Sequence, residues 1–299
     1  MFGENQEHNN PVKIEWVICL KLKLIALDMD GTVLLNDHKS ITQRTKQAIG
    51  RAVARNIMVV PSSGRIVTVL PTAVTSLPGI NFAITSNGSL VYDLKKKEII
   101  YSNAIPVPNI ISVLQSLPAN LWVEVWHHGK IYMEQTKFSH LSDYSLNPFH
   151  VEVLERIGVG VENLISCAEK MQDGAEKINI PTMPPDLKGK VWEALSRSSQ
   201  FALVDAGSGM EIMNTGTSKA AGILGLCRYL CRKGAEIKMQ NVMAIGDSEN
   251  DIEALQACGL GIAMGNACDC VKKAVKNITL RNTEDGAAVA IEKYALSLV

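Results

Sequence analysis

The stretch from Leu24 to Thr32 constrains this chain more than any other. Four apolar residues end at Leu27 and are followed at once by an Asp-x-Asp-Gly-Thr sequence. A short apolar run without polar alternation is typical of a parallel strand that is buried on both faces. Asp28 and Asp30 are two positions apart, so an extended backbone would direct both carboxylates to the same side. The stretch therefore predicts a buried strand that ends in a paired acidic site.

Two neighbouring carboxylates repel each other in a cleft of low dielectric constant, unless a cation lies between them or one of them takes up a proton. The aspartate pair is therefore a metal site, an acid/base pair, or both. The alternative is a solvated Asp-x-Asp-Gly turn that closes the strand and has no chemical role. The sequence that follows favours the functional interpretation.

Composition narrows the classes of function. The chain has 299 residues, of which 46% are hydrophobic and 20% charged, enough to build a large core in one large or two ordinary domains. Its formal net charge is zero, which removes the main electrostatic reason to expect nucleic acid or an anionic membrane as a partner. No apolar run is long enough to span a bilayer, so we expect a soluble, cytoplasmic protein. Residues 1–20 have no cleavage site and are predicted to form a disordered or tag-like extension.

The seven cysteines are dispersed along the chain. Their odd number and the absence of a secretory signal predict reduced thiols. Cys227 and Cys231 are close in sequence, as are Cys268 and Cys270, but neither pair has a matching second pair or a nearby histidine. We therefore expect no metal site at the cysteines.

The strand pattern is repeated after Thr32. A predicted helix that opens near Thr42 leads to a second apolar run, and this strand–helix–strand order predicts a parallel sheet. Ser63, Gly64 and Arg65 follow the second run. Ligands bind beyond the carboxyl ends of such strands, where a hydroxyl and an unobstructed backbone N–H suit a phosphate oxygen. An ordinary turn is the alternative for this short sequence.

The pattern changes after Asn87, which follows a third apolar run. Short β-like runs then alternate with amphipathic helices, which indicates a separate α+β module inserted into the first domain. We predict an α/β protein with a Rossmann-like, doubly wound parallel-sheet core over residues 21–87 and 213–299, and an inserted α+β domain over residues 88–212.

Parallel-sheet character returns in the last third of the chain. Lys219 is at the start of a predicted helix, where the helix dipole favours anions and disfavours a lysine. A lysine at this position often indicates that the lysine and the helix N-terminus bind the same anion. The alternative is an ordinary surface lysine. A further apolar strand ends at Gly246 and is followed by Asp247, Asn250 and Asp251. Carboxylate oxygens are hard ligands of the kind that Mg²⁺ requires.

Taken in order, five segments resemble the motifs of the haloacid dehalogenase (HAD) superfamily: Asp28-Met-Asp-Gly-Thr32, Ser63-Gly64-Arg65, Asn87-Gly88, Lys219 and Gly246-Asp-Ser-Glu-Asn-Asp251. The inserted module and three further segments resemble the Cof-type sugar phosphatase branch with a C2B-type cap: Glu211-Ile212-Met213, Ala263-Met264-Gly265-Asn266-Ala267 and Asn282-Thr283-Glu284-Asp285-Gly286. The resemblance covers about residues 22–296. Ser63 departs from the branch, which more often has threonine there, but the hydroxyl is kept.

The resemblance implies a Mg²⁺-dependent phosphatase. Asp28 would attack phosphorus and form an aspartyl-phosphate, with Asp30 as general acid and base. The Asp28 carboxylate, the Asp30 backbone carbonyl and Asp247 would bind the metal. Asp251 completes the predicted metal site by orienting the metal's water shell or Lys219.

The resemblance also implies how the substrate is bound. Lys219, Ser63, the Gly64 N–H and Asn250 would bind the phosphate oxygens. Arg65 and Asn87 are candidates for contact with the leaving group, with a structural hinge as the alternative for both.

The inserted cap would open and close over a small phosphorylated metabolite such as a sugar phosphate. Some cap residues would face the leaving group, but strand alternation alone does not identify which among Trp122, Glu124, Trp126, His127 and His128. Two other functions compete with hydrolysis. One is a phosphotransferase or phosphomutase on the same scaffold, and the other is a non-catalytic binding protein.

Overall fold

The computed structural model describes residues 21–144 and 146–297. The predicted N-terminal extension, residues 1–20, lies outside the described residues. Among the described residues, every helix is too short or too polar to cross a membrane.

The strands, in chain order, are β1 (Leu24–Leu27), β2 (Met58–Pro61), β3 (Phe82–Thr85), β4 (Leu90–Asp93), β5 (Glu98–Ser102), β6 (Glu124–His127), β7 (Lys130–Glu134), β8 (Gly158–Val161), β9 (Lys177–Ile180), β10 (Phe201–Ala206), β11 (Gly209–Asn214), β12 (Val242–Gly246), β13 (Leu260–Ala263) and β14 (Asn277–Ile278). The α-helices are α1 (Gln43–Ala54), α2 (Thr72–Thr75), α3 (Val107–Ser116), α4 (Gln135–Phe138), α5 (Pro148–Ile157), α6 (Leu164–Ala168), α7 (Pro185–Ser196), α8 (Lys219–Arg232), α9 (Ile252–Ala257), α10 (Asp269–Ala274) and α11 (Gly286–Ile291).

Five parallel strands form the core sheet, in the order β14-β13-β12-β1-β2. Strand β1 lies between β12 and β2 and is buried on both faces. Ile25 and Leu27 pack toward α1 and α11, whereas Leu24 and Ala26 pack toward α8 and α9. Because both faces are covered, the strand has no position for a polar residue, which explains the continuous apolar run. The predicted α/β fold with a parallel sheet is confirmed.

A second, separate sheet has six strands in the order β10-β11-β9-β6-β7-β8 and is here called the cap sheet. One face packs against α3, α6 and α7, and the other packs against α5 and against Ile66 and Val69 of the loop that follows β2. The second face is therefore turned toward the core sheet.

A third sheet is antiparallel and consists of β3, β4 and β5. In chain order these strands come between β2 of the core sheet and β6 of the cap sheet. β3 lies beside β2 through a bridge between Ser62 and Ile84, and β4 and β5 pack against α8. The division of the chain into a core and an inserted domain at residues 88 and 212 stays a prediction.

Cys268 and Cys270 form a disulfide, with their Cα atoms 5.5 Å apart. Cys268 is the extended N-cap residue of α10, and Cys270 lies in the first turn of that helix. This pair corrects the prediction of reduced thiols, whereas Cys167, Cys227, Cys231 and Cys258 are free as predicted.

Candidate active site

The predicted site residues meet at the carboxyl-terminal edge of the core sheet. Asp28 directly follows β1, Ser63 follows β2 and Asp247 directly follows β12, and these three strands are neighbours. A cavity of about 1210 Å³ opens at this edge. It is lined by all the predicted site residues except one: Asp28, Asp30, Ser63, Gly64, Arg65, Asn87, Lys219, Asp247 and Asn250. The exception is Asp251, which is buried beneath the cavity.

Lys219 lies at the floor of this cavity, between two carboxylates. Its Nζ donates to Asp28 Oδ1 and to Asp251 Oδ1, both at 2.6 Å. The side chain is only 2% exposed, although it begins α8 immediately after the N-cap Ser218. Burial opposes protonation of the amine, but the two carboxylates outweigh it and hold the pKa of Lys219 above its ordinary value. The side chain is therefore a permanently charged, immobilised ammonium group.

Three carboxylates surround this single ammonium group. Asp28, Asp247 and Asp251 have oxygen atoms within 4.8 Å of one another and form the acidic cluster. Burial raises the pKa of Asp28 well above its ordinary value, and Asp251 and Asp247 add to this rise despite the opposing effect of Lys219. Burial and the Asp251 carboxylate likewise raise the pKa of Asp247. One ammonium does not compensate three carboxylates, so the cluster fits a further cation with a preference for oxygen ligands.

The position of Asp247 depends on two residues of the turn after β1. Thr32 Oγ1 donates to Asp247 Oδ1 at 3.0 Å. Gly31 has φ +75°, and a Cβ at this position would lie 2.3 Å from Asp247 Oδ2. The Gly-Thr sequence thus allows the close approach of Asp247 to the turn that carries Asp28 and Asp30.

Asp251 uses both carboxylate oxygens within the protein. Oδ1 accepts from Lys219, and Oδ2 accepts from the backbone N–H groups of Asp247 and Ser248 at 3.0 Å each. Gly246 makes room for it, because a Cβ there would lie 2.3 Å from Asp251 Cγ. Asp251 thereby ties the loop after β12 to Lys219.

The carboxylate of Asp30 is held by two side chains. Arg65 donates from Nε at 2.7 Å and from Nη2 at 2.5 Å, and His38 Nδ1 lies 2.8 Å from the same group. Burial alone would raise the pKa of Asp30, but Arg65 and His38 more than offset it and the pKa is lowered. His38 was not predicted as a site residue, and its sequence context, a turn after the acidic motif, contains no specific signal.

Polar groups continue along the cavity from the loop after β2 to the loop after β3. Asn87 has φ +55°; its Nδ2 donates to Glu211 at 2.6 Å and its Oδ1 accepts from Asn250 at 2.9 Å. Gly64 lies against it, because a Cβ there would be 2.9 Å from Asn87 Oδ1. Asn250 Oδ1 is buried and has no hydrogen-bond partner among the described residues. This amide oxygen is available to a ligand or to ligand-bound water.

The cap sheet and α5 contribute three side chains to the site, of which the sequence analysis named only Trp126 as a candidate. Lys177 of β9 forms an ion pair with Glu211 and donates to the Gly64 carbonyl at 3.1 Å. Trp126 and His150 also line the cavity, whereas Trp122 and Glu124 do not. In the sequence, Lys177 begins the short run Lys-Ile-Asn-Ile, and a lysine in a strand that is buried along its whole length is the signal that the sequence analysis did not use.

We expect Lys219→Met to destabilise the protein by about 3–5 kcal/mol near neutral pH, because Asp28 and Asp251 would be buried without a counter-ion. The loss should shrink as the pH falls. The pKa of Asp28 is raised in the folded state, so on acidification the folded protein takes up the proton before the unfolded chain does.

Urea unfolding at pH 7 and pH 5 measures the effect of Lys219→Met. The exposed Lys95 provides a matched control, and Lys95→Met should change stability by less than about 0.5 kcal/mol. Equal losses for the two variants would contradict the assigned pairing of Lys219.

Comparisons with known proteins agree with this geometry. A sequence profile of the family described as haloacid dehalogenase-like hydrolase matches residues 25–291. A 5-amino-6-(5-phospho-D-ribitylamino)uracil phosphatase of Bacillus subtilis, YcsE, is 29% identical over 280 residues, which cover 92% of this chain and 96% of that protein. A haloacid dehalogenase-like hydrolase from Bacteroides thetaiotaomicron has a similar structure, with a TM-score of 0.71, 26% identity and coverage of 91% and 99% of the two chains. The fold is also that of the HAD subclass IIB sugar phosphatase BT4131, with a TM-score of 0.72, 20% identity and coverage of 92% and 99%.

Proposed function

Because the chain belongs to the haloacid dehalogenase-like hydrolase family, in its Cof-type branch, and is a phosphatase, we propose that it hydrolyses small phosphomonoesters such as sugar phosphates through an intermediate on Asp28. The observation that carries this proposal is the pairing of Asp28 with Lys219 at the floor of a cavity. A buried carboxylate beside a fixed ammonium group is oriented for attack on a group that is itself negatively charged.

The reaction has two displacements. In the first, an Asp28 oxygen forms a bond to phosphorus while the bond to the leaving oxygen breaks, and Asp30 donates a proton to that oxygen. In the second, Asp30 takes a proton from water, and the water oxygen displaces the Asp28 carboxylate as inorganic phosphate forms. Each step passes a phosphoryl group between two oxygens, so no oxidant or reductant is needed.

Mg²⁺ is the cation that we assign to the acidic cluster, because its donors are oxygens and include no thiolate or imidazole. The Asp28 carboxylate, the Asp30 carbonyl and Asp247 would hold it. When bound, the ion neutralises charge between the Asp28 carboxylate and the phosphate. We assign Asp251 the task of positioning Lys219 and the loop after β12, because both its oxygens already accept hydrogen bonds.

The phosphate oxygens would be bound by Lys219, the Ser63 hydroxyl, the Gly64 N–H and the second amide hydrogen of Asn250 Nδ2, whose first is donated to Asn87 Oδ1. Asn87 lies between Asn250 and Glu211, which supports its assignment to the leaving-group side of the phosphate. We further propose that residues 88–212 act as the cap, which closes the cavity and excludes water.

Phosphate release without an added acceptor tests this function. The panel contains sugar phosphates, pyridoxal phosphate, flavin mononucleotide (FMN) and p-nitrophenyl phosphate, each with Mg²⁺. Release from one or more of these compounds is the expected result. Dephosphorylation of the donor that occurs only after a sugar acceptor is added, with the phosphoryl group recovered on that acceptor, would instead favour a phosphotransferase or mutase. Folded protein that dephosphorylates nothing under either condition would contradict both.

Arg65→Met tests whether Arg65 influences the reaction through the pKa of Asp30. Arg65 lowers the pKa of Asp30, so its loss should raise that pKa. Asp30 must be protonated in the first displacement, and the alkaline limb of the kcat/KM profile should therefore move to higher pH. The profile is measured with a sugar phosphate, because its alkoxide leaving group needs the proton from Asp30, and Arg156→Met is the control for loss of a cavity-remote arginine. An unchanged limb would contradict the assignment of Asp30 as the acid.

A further inference from the structure

The loop Ser63-Gly64-Arg65 is held through its backbone, and one of its amides is left free. The carbonyl of Ser63 accepts from the Asn87 N–H at 3.0 Å, and the carbonyl of Arg65 accepts from the Ser86 N–H at 2.9 Å. The Arg65 N–H is in turn 3.2 Å from Ser63 Oγ, to which it donates. Among the described residues, the Gly64 N–H has no hydrogen-bond partner. The loop therefore offers this N–H to a ligand in the cavity.

The remaining carbonyl of the loop is bound from the cap sheet. Lys177 Nζ donates to the Gly64 carbonyl at 3.1 Å, so each carbonyl of the loop has a donor. The same ammonium forms an ion pair with Glu211 and lies 4.0 Å from the centroid of the Trp126 ring. These three contacts use the ammonium within the protein. Lys177 is thus placed to hold the loop rather than to bind a leaving group.

The cap sheet also holds the turn that binds the other two carbonyls. Ser86 and Asn87 have φ +49° and +55°, a region that residues other than glycine rarely adopt. Ser86 Oγ donates to Glu176 Oε2, directly before β9, and Asn87 Nδ2 donates to Glu211 Oε2 of β11, each at 2.6 Å. A backbone of this kind persists only where its surroundings hold it, and here two carboxylates at the cap sheet do so.

The residues Glu176, Lys177 and Glu211 are together called the brace. Glu176 and Lys177 are each only 2% exposed. A buried ion pair adds little net stability, because the loss of hydration offsets most of the attraction. Its hydrogen bonds are nevertheless directional and fix the groups that they join. The brace is therefore better suited to orienting the loop than to stabilising the fold.

From these contacts we infer that the brace, with Lys177 at its centre, positions the Gly64 N–H for a phosphate oxygen. The inference rests on the proposed function and adds positioning residues from the cap sheet to its phosphate site. A donor that is fixed before the substrate arrives needs no reorientation when charge develops on the phosphate. The cap sheet thereby acts on the phosphate itself, whatever the leaving group is.

Inorganic phosphate separates this role from contact with a leaving group, because it has none. Its affinity is measured by calorimetric titration in the presence of Mg²⁺. The test variant is Lys177→Met/Glu211→Gln, which removes both members of the ion pair, so the sum of the two charges stays zero. The new amide oxygen at position 211 can still accept from Asn87. We expect phosphate to bind about tenfold more weakly, as for the loss of one hydrogen bond to a charged group.

Ser86→Ala is a second, smaller test of the brace. Ser86 is fully buried and does not line the cavity, so its side chain cannot touch the phosphate. The variant removes the hydroxyl that Glu176 holds and leaves Lys177 in place. We expect roughly threefold weaker phosphate binding, through the loosened turn alone. Thermal unfolding shows that each variant is folded before it is titrated.

Lys137→Met is the matched control. Lys137 of α4 also pairs with a carboxylate, that of Glu134, and donates to a backbone carbonyl, that of Leu121, at 2.7 Å. It does not line the cavity. This variant loses the same kinds of contact, and its phosphate affinity should stay within about twofold of that of the unmodified protein.

Turnover separates failure of the inference from failure of the proposed function. The kcat/KM values for a sugar phosphate and for p-nitrophenyl phosphate should fall by similar factors in Lys177→Met/Glu211→Gln, because both substrates present the same phosphate. Unchanged phosphate affinity in this variant and in Ser86→Ala would overturn the inference and leave the phosphatase proposal standing. A loss confined to the sugar phosphate would also overturn it, because Lys177 would then act on the leaving group. Unmodified protein that neither binds phosphate nor releases it from any substrate would instead overturn the proposed function.

Discussion

Asp28→Asn is expected to lower kcat for phosphate release by at least about 10⁴-fold, because it removes the nucleophile of the proposed reaction. An amide is nearly the same size as a carboxylate but does not form a stable bond to the phosphoryl group. Lys219 keeps its second partner, Asp251, so the site should stay folded.

The intermediate itself provides a second measurement. Rapid quenching of the unmodified enzyme during turnover should trap phosphate on the protein in a form that hydroxylamine releases, as expected for an acyl phosphate. Asp28→Asn should trap none. Asp143→Asn makes the same chemical change at an exposed position that does not line the cavity and should leave activity unchanged. Trapped phosphate in Asp28→Asn would place the nucleophile elsewhere.

Removal of divalent metal is expected to reduce phosphate release to background, and added Mg²⁺ should restore it. The acidic cluster places three carboxylates around one ammonium, and burial raises the pKa of both Asp28 and Asp247. The cluster already carries more negative than positive charge. Without a further cation, the approach of a phosphate dianion would increase this excess of negative charge. Activity after EDTA treatment and exhaustive dialysis is the measurement.

Asp247→Asn tests which residues hold the ion, through a readout other than activity. Calorimetric titration with Mg²⁺ should show affinity at least about 100-fold weaker than in the unmodified protein. Glu253→Gln is the control, since Glu253 is an exposed carboxylate on the adjoining helix α9. Full activity in metal-free protein, or Mg²⁺ affinity that is unchanged in Asp247→Asn, would contradict the assigned metal site.

The site is divided between two sheets, and this division allows one core chemistry to serve different leaving groups. The acidic cluster and Lys219 lie on the core sheet, whereas Trp126 and His150 come from the cap sheet and from α5. Changes in the second group can alter substrate choice without moving the first.

Much of the core was predictable from sequence because its signals are local. A continuous apolar run identified β1 as a buried strand, and Asp28 follows it directly. Parallel strands bring their carboxyl ends to one edge, so the positions of Ser63 and Asp247 in the sequence already implied that they lie close to Asp28. For the same reason the predicted α/β fold is confirmed.

Three-dimensional packing decided the remaining features, which join residues distant in sequence. The sequence predicted that Lys219 binds phosphate, but only the structure shows that it lies between Asp28 and Asp251. Strand alternation places Glu124 and Trp126 on one face of β6, but it does not show that both are buried and that only Trp126 reaches the cavity lining.

The contacts of His150 with Glu124 and of Lys177 with Gly64 illustrate the physical reason. The spacing of residues along a strand or helix follows from backbone geometry and can be recognised in the sequence. Contacts between separate elements depend on how whole sheets and helices pack, and that is determined by the sum of many weak interactions. The sequence by itself thus determined the edge of the core sheet at which the candidate site lies, and only the tertiary structure decided what faces that edge from the cap sheet.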